Sequence, residues 1–327
     1  MREALDAILA QSYRPLEVIV IDDASTDDSY QILQRYSLEW PGVFTVIAND
    51  RNLGVLENAK RLLALASGDC VFFTAMDDRI LPEFLERSMA LFSEHPQAGL
   101  CSTLSGIIDA SGRPQGLVRL PIPLRSAGFI GPADVAKFIQ SEAAWFSGNS
   151  TVYRREALIQ SGGFRPDLRS YADGFVSLVV ALRHGACFIP EPLALWRRMA
   201  GTYSQRTSRD ADTLFGVLDR AVHLMQTEFS SVFTPKLIAT WKSELYYGVA
   251  SSLAKGNGTR LEQLKRIVPA TGLIARAFYL LADVRPELAR WISKPTFFVI
   301  LRWRYAARTL RRQIMYLCVP RLRRWAE

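Results

Sequence analysis

Cysteine and histidine are both scarce. The four cysteines, Cys70, Cys101, Cys187 and Cys318, are scattered and form no C-x-x-C pair, which argues against a disulfide framework or a structural zinc. The three histidines, His95, His184 and His223, show no metal-ligand spacing. A reducing cytoplasm is the simplest compartment. Long apolar runs are also missing: none reaches the roughly 18 residues of a spanning helix. The opening Met1-Arg2-Glu3-Ala4-Leu5-Asp6 is charged and amphipathic, so no signal peptide is expected there. No internal repeat is visible. The first 285 residues carry no charge excess, with 30 basic and 30 acidic side chains.

The whole net charge of +8 therefore sits in residues 286–327, where ten Lys or Arg meet only Glu287 and Glu327. The arginines there are interleaved with Trp291, Phe297, Phe298, Trp303, Tyr305 and Trp325. If 298–315 is helical, Arg304, Arg308, Arg311 and Arg312 line up beside an apolar face. That mixture favours an anionic membrane surface over nucleic acid, although a solvated basic helix packed on the body fits equally well. Near half the residues are apolar, and 327 residues suffice for one large domain or two modest ones.

Two acidic pairs stand out. Leu16–Ile21 is a β-branched strand signal that ends in Asp22-Asp23, and Cys70–Phe73 is a second one leading to Asp77-Asp78. Carboxylates at strand ends lie at the crevice of an open α/β sheet, where a divalent cation and its phosphates can be held. Between the pairs, helical and strand patterns alternate: helices at 2–11, 30–36 and 56–66, and a strand at 44–48. This alternation predicts an α/β fold with a mixed, mainly parallel sheet covered by helices. A loop-rich stretch with Gly112, Pro114, Pro121, Pro123, Gly128 and Gly131 reads as a lid or acceptor loop. From about residue 207 the pattern turns helical.

Ile21-Asp22-Asp23-Ala24-Ser25-Thr26-Asp27, Asn52-Leu53-Gly54, Ala66-Ser67-Gly68-Asp69 and Asp77-Asp78 with Ile80-Leu81-Pro82 follow one another in a recognisable order. Tyr153-Arg154-Arg155-Glu156, Gly162-Gly163-Phe164, Asp173 and Pro190-Glu191-Pro192-Leu193-Ala194 before Trp196-Arg197 continue it. The set resembles an inverting family 2 glycosyltransferase of the GT-A fold over roughly residues 1–205, with the nucleotide-binding half at 1–105 and the acceptor half at 106–205. A helical appendix (206–285) and the basic tail (286–327) follow.

The resemblance implies roles. Asp23 is expected to hydrogen-bond the base of a nucleotide-sugar donor, most simply a UDP-sugar, with Asp22 shaping the pocket. Asp78, with Asp77, is expected to hold Mg2+ or Mn2+ and contact the donor. Asp173 occupies the general-base position, and a helix cap is its structural alternative. Where relatives carry a histidine after the final motif, this chain has Met199, so Arg197 or Arg198 is expected to neutralise the diphosphate. The acceptor would be a glycan or lipid-linked saccharide of cell-envelope polysaccharide assembly, placing the protein in the cytoplasm or peripherally at the inner face of the membrane. Relatives also begin with an aliphatic strand that this chain lacks, so the strand beside it should lose a neighbour. A non-catalytic binding or scaffold protein on the same fold is the second reading.

Overall fold

The computed structural model describes residues 1–199, 211–253, 273–285, 287–288 and 296. They divide into two compact units. The first comprises residues 1–136 and 144–199, and the second comprises the remainder. The tail reading over 286–327 thus falls almost wholly outside the described residues.

The first unit opens with α1 (Arg2–Leu9), whose Leu5, Ile8 and Leu9 share one buried face as the i, i+3, i+4 spacing requires. It leads to β1 (Val18–Asp22), α2 (Ser29–Glu39), β2 (Phe44–Ala48), α3 (Val55–Leu65), β3 (Cys70–Phe72), β4 (Arg79–Ile80) and α4 (Phe84–Glu94). Then come β5 (Leu100–Ile108), β6 (Pro114–Leu117), β7 (Gly128–Ile130), α5 (Pro132–Ser141, of which residues 137–141 count with the second unit), β8 (Thr151–Arg154), α6 (Arg155–Gln160), α7 (Ala172–His184) and β9 (Ala186–Arg197). The loop-rich stretch predicted between Gly112 and Gly131 therefore contains two short strands, because β5 and β9 offer it edges to pair with. The second unit is helical where described: α8 (Ala211–Gln226), α9 (Pro235–Leu253) and α10 (Leu273–Val284). No helix among the described residues is long and apolar enough to cross a membrane.

The sheet is mixed. β5 and β9 pair in parallel at its centre, β1 and β2 pair in parallel apart from it, and the remaining ladders are antiparallel. Every residue of β5 is buried, as expected for a strand covered on both faces. Its polar side chains are bonded: Ser102 Oγ accepts from Trp145 Nε1 at 3.1 Å, and Thr103 Oγ1 donates to the Leu104 carbonyl at 2.9 Å. The β5–β9 register jumps from Ile189 to Pro192, where Pro190 and Pro192 have no N–H to give the ladder. Glu191, between them, makes a bidentate pair with Arg87 of α4 at 2.7 and 2.8 Å.

The ladder is broken in one place. β1 pairs with β2 on one edge and β3 pairs with β8 on one edge, and among the described residues no ladder joins β1 to β3. Val18–Val20 and Cys70–Phe72 instead line a cavity of about 380 Å3 with Ile8, Leu62 and Met89. The expectation that β1 lacks a neighbour thus has a structural counterpart: two strand edges face one apolar slot.

Candidate active site

The chain leaves β1 directly into the first acidic pair. Asp22 is buried, and its Oδ2 accepts the Ser25 N–H at 3.1 Å, closing a tight turn through Ala24 at φ +59°. Asp23 reaches across to the segment ahead of α3. Its Oδ1 accepts from Asn49 Nδ2 and the Leu53 N–H, both at 2.8 Å, and its Oδ2 accepts the Gly54 N–H at 2.9 Å. Burial pushes its pKa upward, but these donors and the Asn58 amide outweigh it and hold the carboxyl at about 2. A carboxylate offers about four acceptor positions, and three protein donors at 2.8–2.9 Å occupy most of them. The expected base acceptor is thus already engaged, and its first job is to order the 49–54 loop. Gly54 itself sits at φ +85°, a conformation that glycine adopts without strain.

The second pair lies not at the end of β3 but in the turn that follows it, where the Asp78 N–H donates to the Ala75 carbonyl at 3.2 Å. Asp78 is buried, and its Oδ1 accepts the Arg197 backbone N–H at 2.9 Å. Burial pushes its carboxyl up to about 6. The Arg197 N–H opposes that rise, Asp77 adds to it, and the Asn149 amide again opposes it. Asp77 is half-buried beside it.

Arg197 does not face outward as the diphosphate role would need. Its Nε donates to the Asp77 carbonyl at 2.8 Å, Nη1 to the carbonyls of Asp109 and Ala110 at 3.1 and 3.0 Å, and Nη2 to Glu3 Oε2 at 2.6 Å. Four of its five N–H donors are spent on the protein. The side chain is buried because the end of β9 runs under the Asp77–Asp78 turn, so it pins that turn in place. Arg198 is exposed and packs over the Trp196 ring at 5.4 Å, which leaves it as the guanidinium open to an anion.

Asp173 stands in the first turn of α7. Its Oδ1 accepts the Gly174 N–H at 2.7 Å, so it does serve the helix start. Burial raises its pKa against that hydrogen bond. The Gly148–Ser150 turn lies against it: a Cβ at Gly148 would fall on the Asp173 carboxylate. The next residue, Asn149, donates to Ser105 Oγ at 3.1 Å and accepts from Ser147 Oγ at 2.7 Å, and its amide lies near enough to Asp78 to oppose the rise in that carboxyl's pKa.

One short turn thus brings Asp78 and Asp173 together. Asp22 and Asp23 form a separate cluster with Asn49, Asn58 and Arg61. Sequence reasoning passed over Asn149 and Gly148 because Gly-Asn-Ser reads as ordinary turn chemistry. Among the described residues no group of three or more His, Cys, Asp or Glu could hold a metal by itself. The protein can offer the Asp77–Asp78 pair, with the other positions left to water and phosphate oxygens, which suits Mg2+ or Mn2+ rather than zinc.

Known proteins bear on this arrangement. Residues 1–161 match the family model described as Glycosyl transferase family 2. An uncharacterized protein of Mycobacterium tuberculosis is 27% identical over 279 residues, covering 83% of this chain and 85% of that protein. A Mycobacterium bovis relative is 29% identical over 202 residues, where this chain spans 55% of its length. Among solved structures, S. aureus TarS 1-349 has a TM-score of 0.53 at 17% identity, covering 99% of this chain and 84% of that one. The mannosyltransferase PcManGT from Pyrobaculum calidifontis, solved with GDP-Man and Mn2+, has a TM-score of 0.54 at 20% identity, covering 93% and 82%. Residues 1–161, with their acidic pairs at the mouth of a helix-covered mixed sheet, form a glycosyltransferase family 2 domain with the GT-A fold.

Proposed function

We propose that this glycosyltransferase moves a sugar from a nucleotide-diphosphate donor, UDP-linked, onto a saccharide or lipid-linked saccharide with inversion at the anomeric carbon. The observation that carries the reading is the juxtaposition of Asp78 and Asp173 through the Gly148–Ser150 turn. Inversion needs one base and no covalent nucleophile. The acceptor hydroxyl gives its proton to an Asp173 carboxylate oxygen as its own oxygen bonds to the anomeric carbon. The bond from that carbon to the diphosphate oxygen breaks, and the nucleoside diphosphate leaves with the electron pair. Partial burial favours this base, since a carboxyl pushed up in pKa is a better proton acceptor.

Asp78 and Asp77 would hold the divalent cation. A buried carboxylate with a second carboxylate beside it is destabilised until positive charge arrives, so the pair fits such an ion. When bound, the cation neutralises charge on the departing diphosphate. Arg198, rather than the enclosed Arg197, is the side chain free to assist. Asp22 and Asp23 form the base end of the pocket, with Asp23 accepting the base N–H in exchange for one of its side-chain amide donors. Complexes of TarS with UDP and of PcManGT with GDP-Man and Mn2+ support a nucleotide-sugar donor and a divalent metal.

The test is nucleotide release from UDP-glucose and UDP-N-acetylglucosamine with Mn2+, comparing the intact protein with Asp78→Ala and Asp173→Asn. Loss of turnover in both is expected, and undiminished turnover in both would remove the mechanism. The scaffold reading has its own observation, the unpaired edges of β1 and β3 among the described residues. It predicts no release by the unaltered chain under any of these conditions. For the acceptor side, we propose that the chain reaches lipid-linked saccharides from an anionic membrane surface. Leu273, Leu280 and Val284 of α10 are exposed just ahead of the basic tail. Vesicle flotation should weaken when Arg304, Arg308, Arg311 and Arg312 all become Gln, and equal flotation would sink the idea.

A further inference from the structure

Asp78 and Asp173 lie 95 positions apart in the sequence and on different elements, yet both meet one three-residue turn, Gly148–Ser150. The turn is itself firmly held. Ser150 is fully buried, and its Oγ donates to the Thr103 carbonyl at 3.1 Å. Thr151 Oγ1 donates to the Ser147 carbonyl at 2.8 Å. Asn149 is tied to Ser105 of the central strand β5. The turn is therefore anchored to the most buried strand of the sheet rather than to a surface loop.

Its two remaining faces do different things. At Asn149 the side-chain Nδ2 donates to Ser105 Oγ while its oxygen takes the Ser147 hydroxyl, and the amide so held lies near enough to Asp78 to favour the ionised carboxylate. These two bonds set the orientation of the amide. At Gly148 an added methyl would meet three atoms first, and all of them belong to Asp173: its Oδ2, Cγ and Cβ. The missing side chain is the space that the Asp173 carboxylate fills. The φ of Gly148 is not in the left-handed region, so the requirement for glycine here is one of room and not of backbone conformation.

We propose that this turn is the gauge that spaces the reacting carboxylates, with Asn149 as a positioning residue for Asp78 and Gly148 as the vacancy that seats Asp173. The proposal rests on the roles given to those two acids above. It goes further in assigning their relative placement to a segment that touches neither end of the donor's base pocket.

Gly148→Ala would drive the carboxylate out of its seat. A displacement on the order of 1 Å at a reacting group costs about 100-fold in rate. The expected result is a kcat reduced by about that factor with the KM for UDP-glucose, and Mn2+-dependent UDP binding by calorimetry, within about twofold of the parent. Asn149→Ala should show the opposite split, weakening UDP binding in the presence of Mn2+ about tenfold with the smaller loss in kcat. Two further measurements stand apart from turnover. Gly148→Ala should lower the Tm, and Gly148→Ala with Asp173→Ala should recover it, because the three atoms nearest the methyl all belong to Asp173. In the rate assay, Gly148→Ala with Asp173→Asn should be no slower than Asp173→Asn alone. If the Tm is not recovered in the double variant, or a crystal structure of Gly148→Ala leaves the Asp173 carboxylate where it is, the inference is overturned. If those two results hold while Asp173→Asn keeps full turnover, the seat is real and the general-base reading is what fails.

Discussion

Replacing Asp78 by asparagine should stabilise the metal-free protein at neutral pH, the reverse of what altering a buried, hydrogen-bonded residue usually does. Folded Asp78 titrates at about 6, against 3.8 for an ordinary aspartate. At about 1.4 kcal/mol per pH unit, the difference amounts to about 3 kcal/mol. The sign follows from the direction. A raised folded pKa means that the folded state holds the proton more tightly, so this stabilisation is complete below about pH 3.8 and is lost as pH rises through 6. Above pH 7 the ionised carboxylate is a buried charge with Asp77 beside it, and it costs the fold up to that amount. Water entry and side-chain relaxation reduce the figure to about 1–2 kcal/mol. Asparagine keeps an oxygen for the Arg197 N–H and removes the charge. Urea unfolding in EDTA at pH 4 and pH 8 measures the effect. The two proteins should be equally stable at pH 4, and the variant should be more stable at pH 8 by about 1–2 kcal/mol. Adding Mn2+ with UDP at 100 times the dissociation constant should then raise only the parent, by about 2.7 kcal/mol. A variant that is less stable at pH 8, or a difference that ignores pH, would refute the reasoning.

Four other outcomes follow from particular contacts. Arg197→Ala should destabilise by about 3–5 kcal/mol in thermal unfolding, because it leaves the carbonyls of Asp77, Asp109 and Ala110 without their donor. Glu3→Gln should cost under about 1 kcal/mol, since Glu3 is exposed; a stable Arg197→Ala that merely lost nucleotide affinity would return Arg197 to the diphosphate. Asp23→Asn should cost about 1–2 kcal/mol above pH 4, after allowing for solvent screening. That difference should fade as pH drops through about 2, because a depressed pKa stabilises only while the group is ionised; a constant penalty down to pH 2 would contradict it. In hydrogen exchange, the Ile19 and Ile21 amides should exchange faster than those of Val18 and Val20, because Val18 donates to the Val43 carbonyl on the β2 side and alternate residues face the slot. Even protection along β1 would mean that the slot is filled.

The parts of this molecule that could be read from sequence are those whose physics is local. Aliphatic runs such as Val18–Ile21 and Cys70–Phe72 announce strands because every residue in them is apolar and most are β-branched or aromatic, and a following acidic pair has nowhere to go but the rim. The α1 stripe and the Phe44–Ala48 strand are legible for the same reason. Long-range partners decide the rest. Arg197 looks like a free cation in one dimension, and only the pairing of β9 with β4 and β5 brings to it the carbonyl of Asp77 and those of Asp109 and Ala110. Asp23 looks like an open acceptor until the chain folds Asn49, Leu53 and Gly54 onto it, some 26 to 31 positions away.

Asp173 marks the boundary between these cases. Nothing in Tyr171-Ala172-Asp173-Gly174 distinguishes a base from a helix-start carboxylate, and the structure gives it the helix-start bond. What sets it apart is a neighbour 25 residues earlier, which contributes nothing but the absence of a side chain. A sequence reports the groups a residue carries, whereas a site is also made of room left empty, and room becomes visible only when two segments meet. The two acidic pairs share this dependence. Identical in one dimension, they end in opposite electrostatic states, Asp23 held at about 2 by its ring of N–H donors and Asp78 pushed up to about 6 by burial beside another carboxylate. The first has the charge it needs already satisfied by the protein. The second is left short of positive charge, and that deficit, rather than the acidic motif itself, is the physical argument for a cation at Asp78.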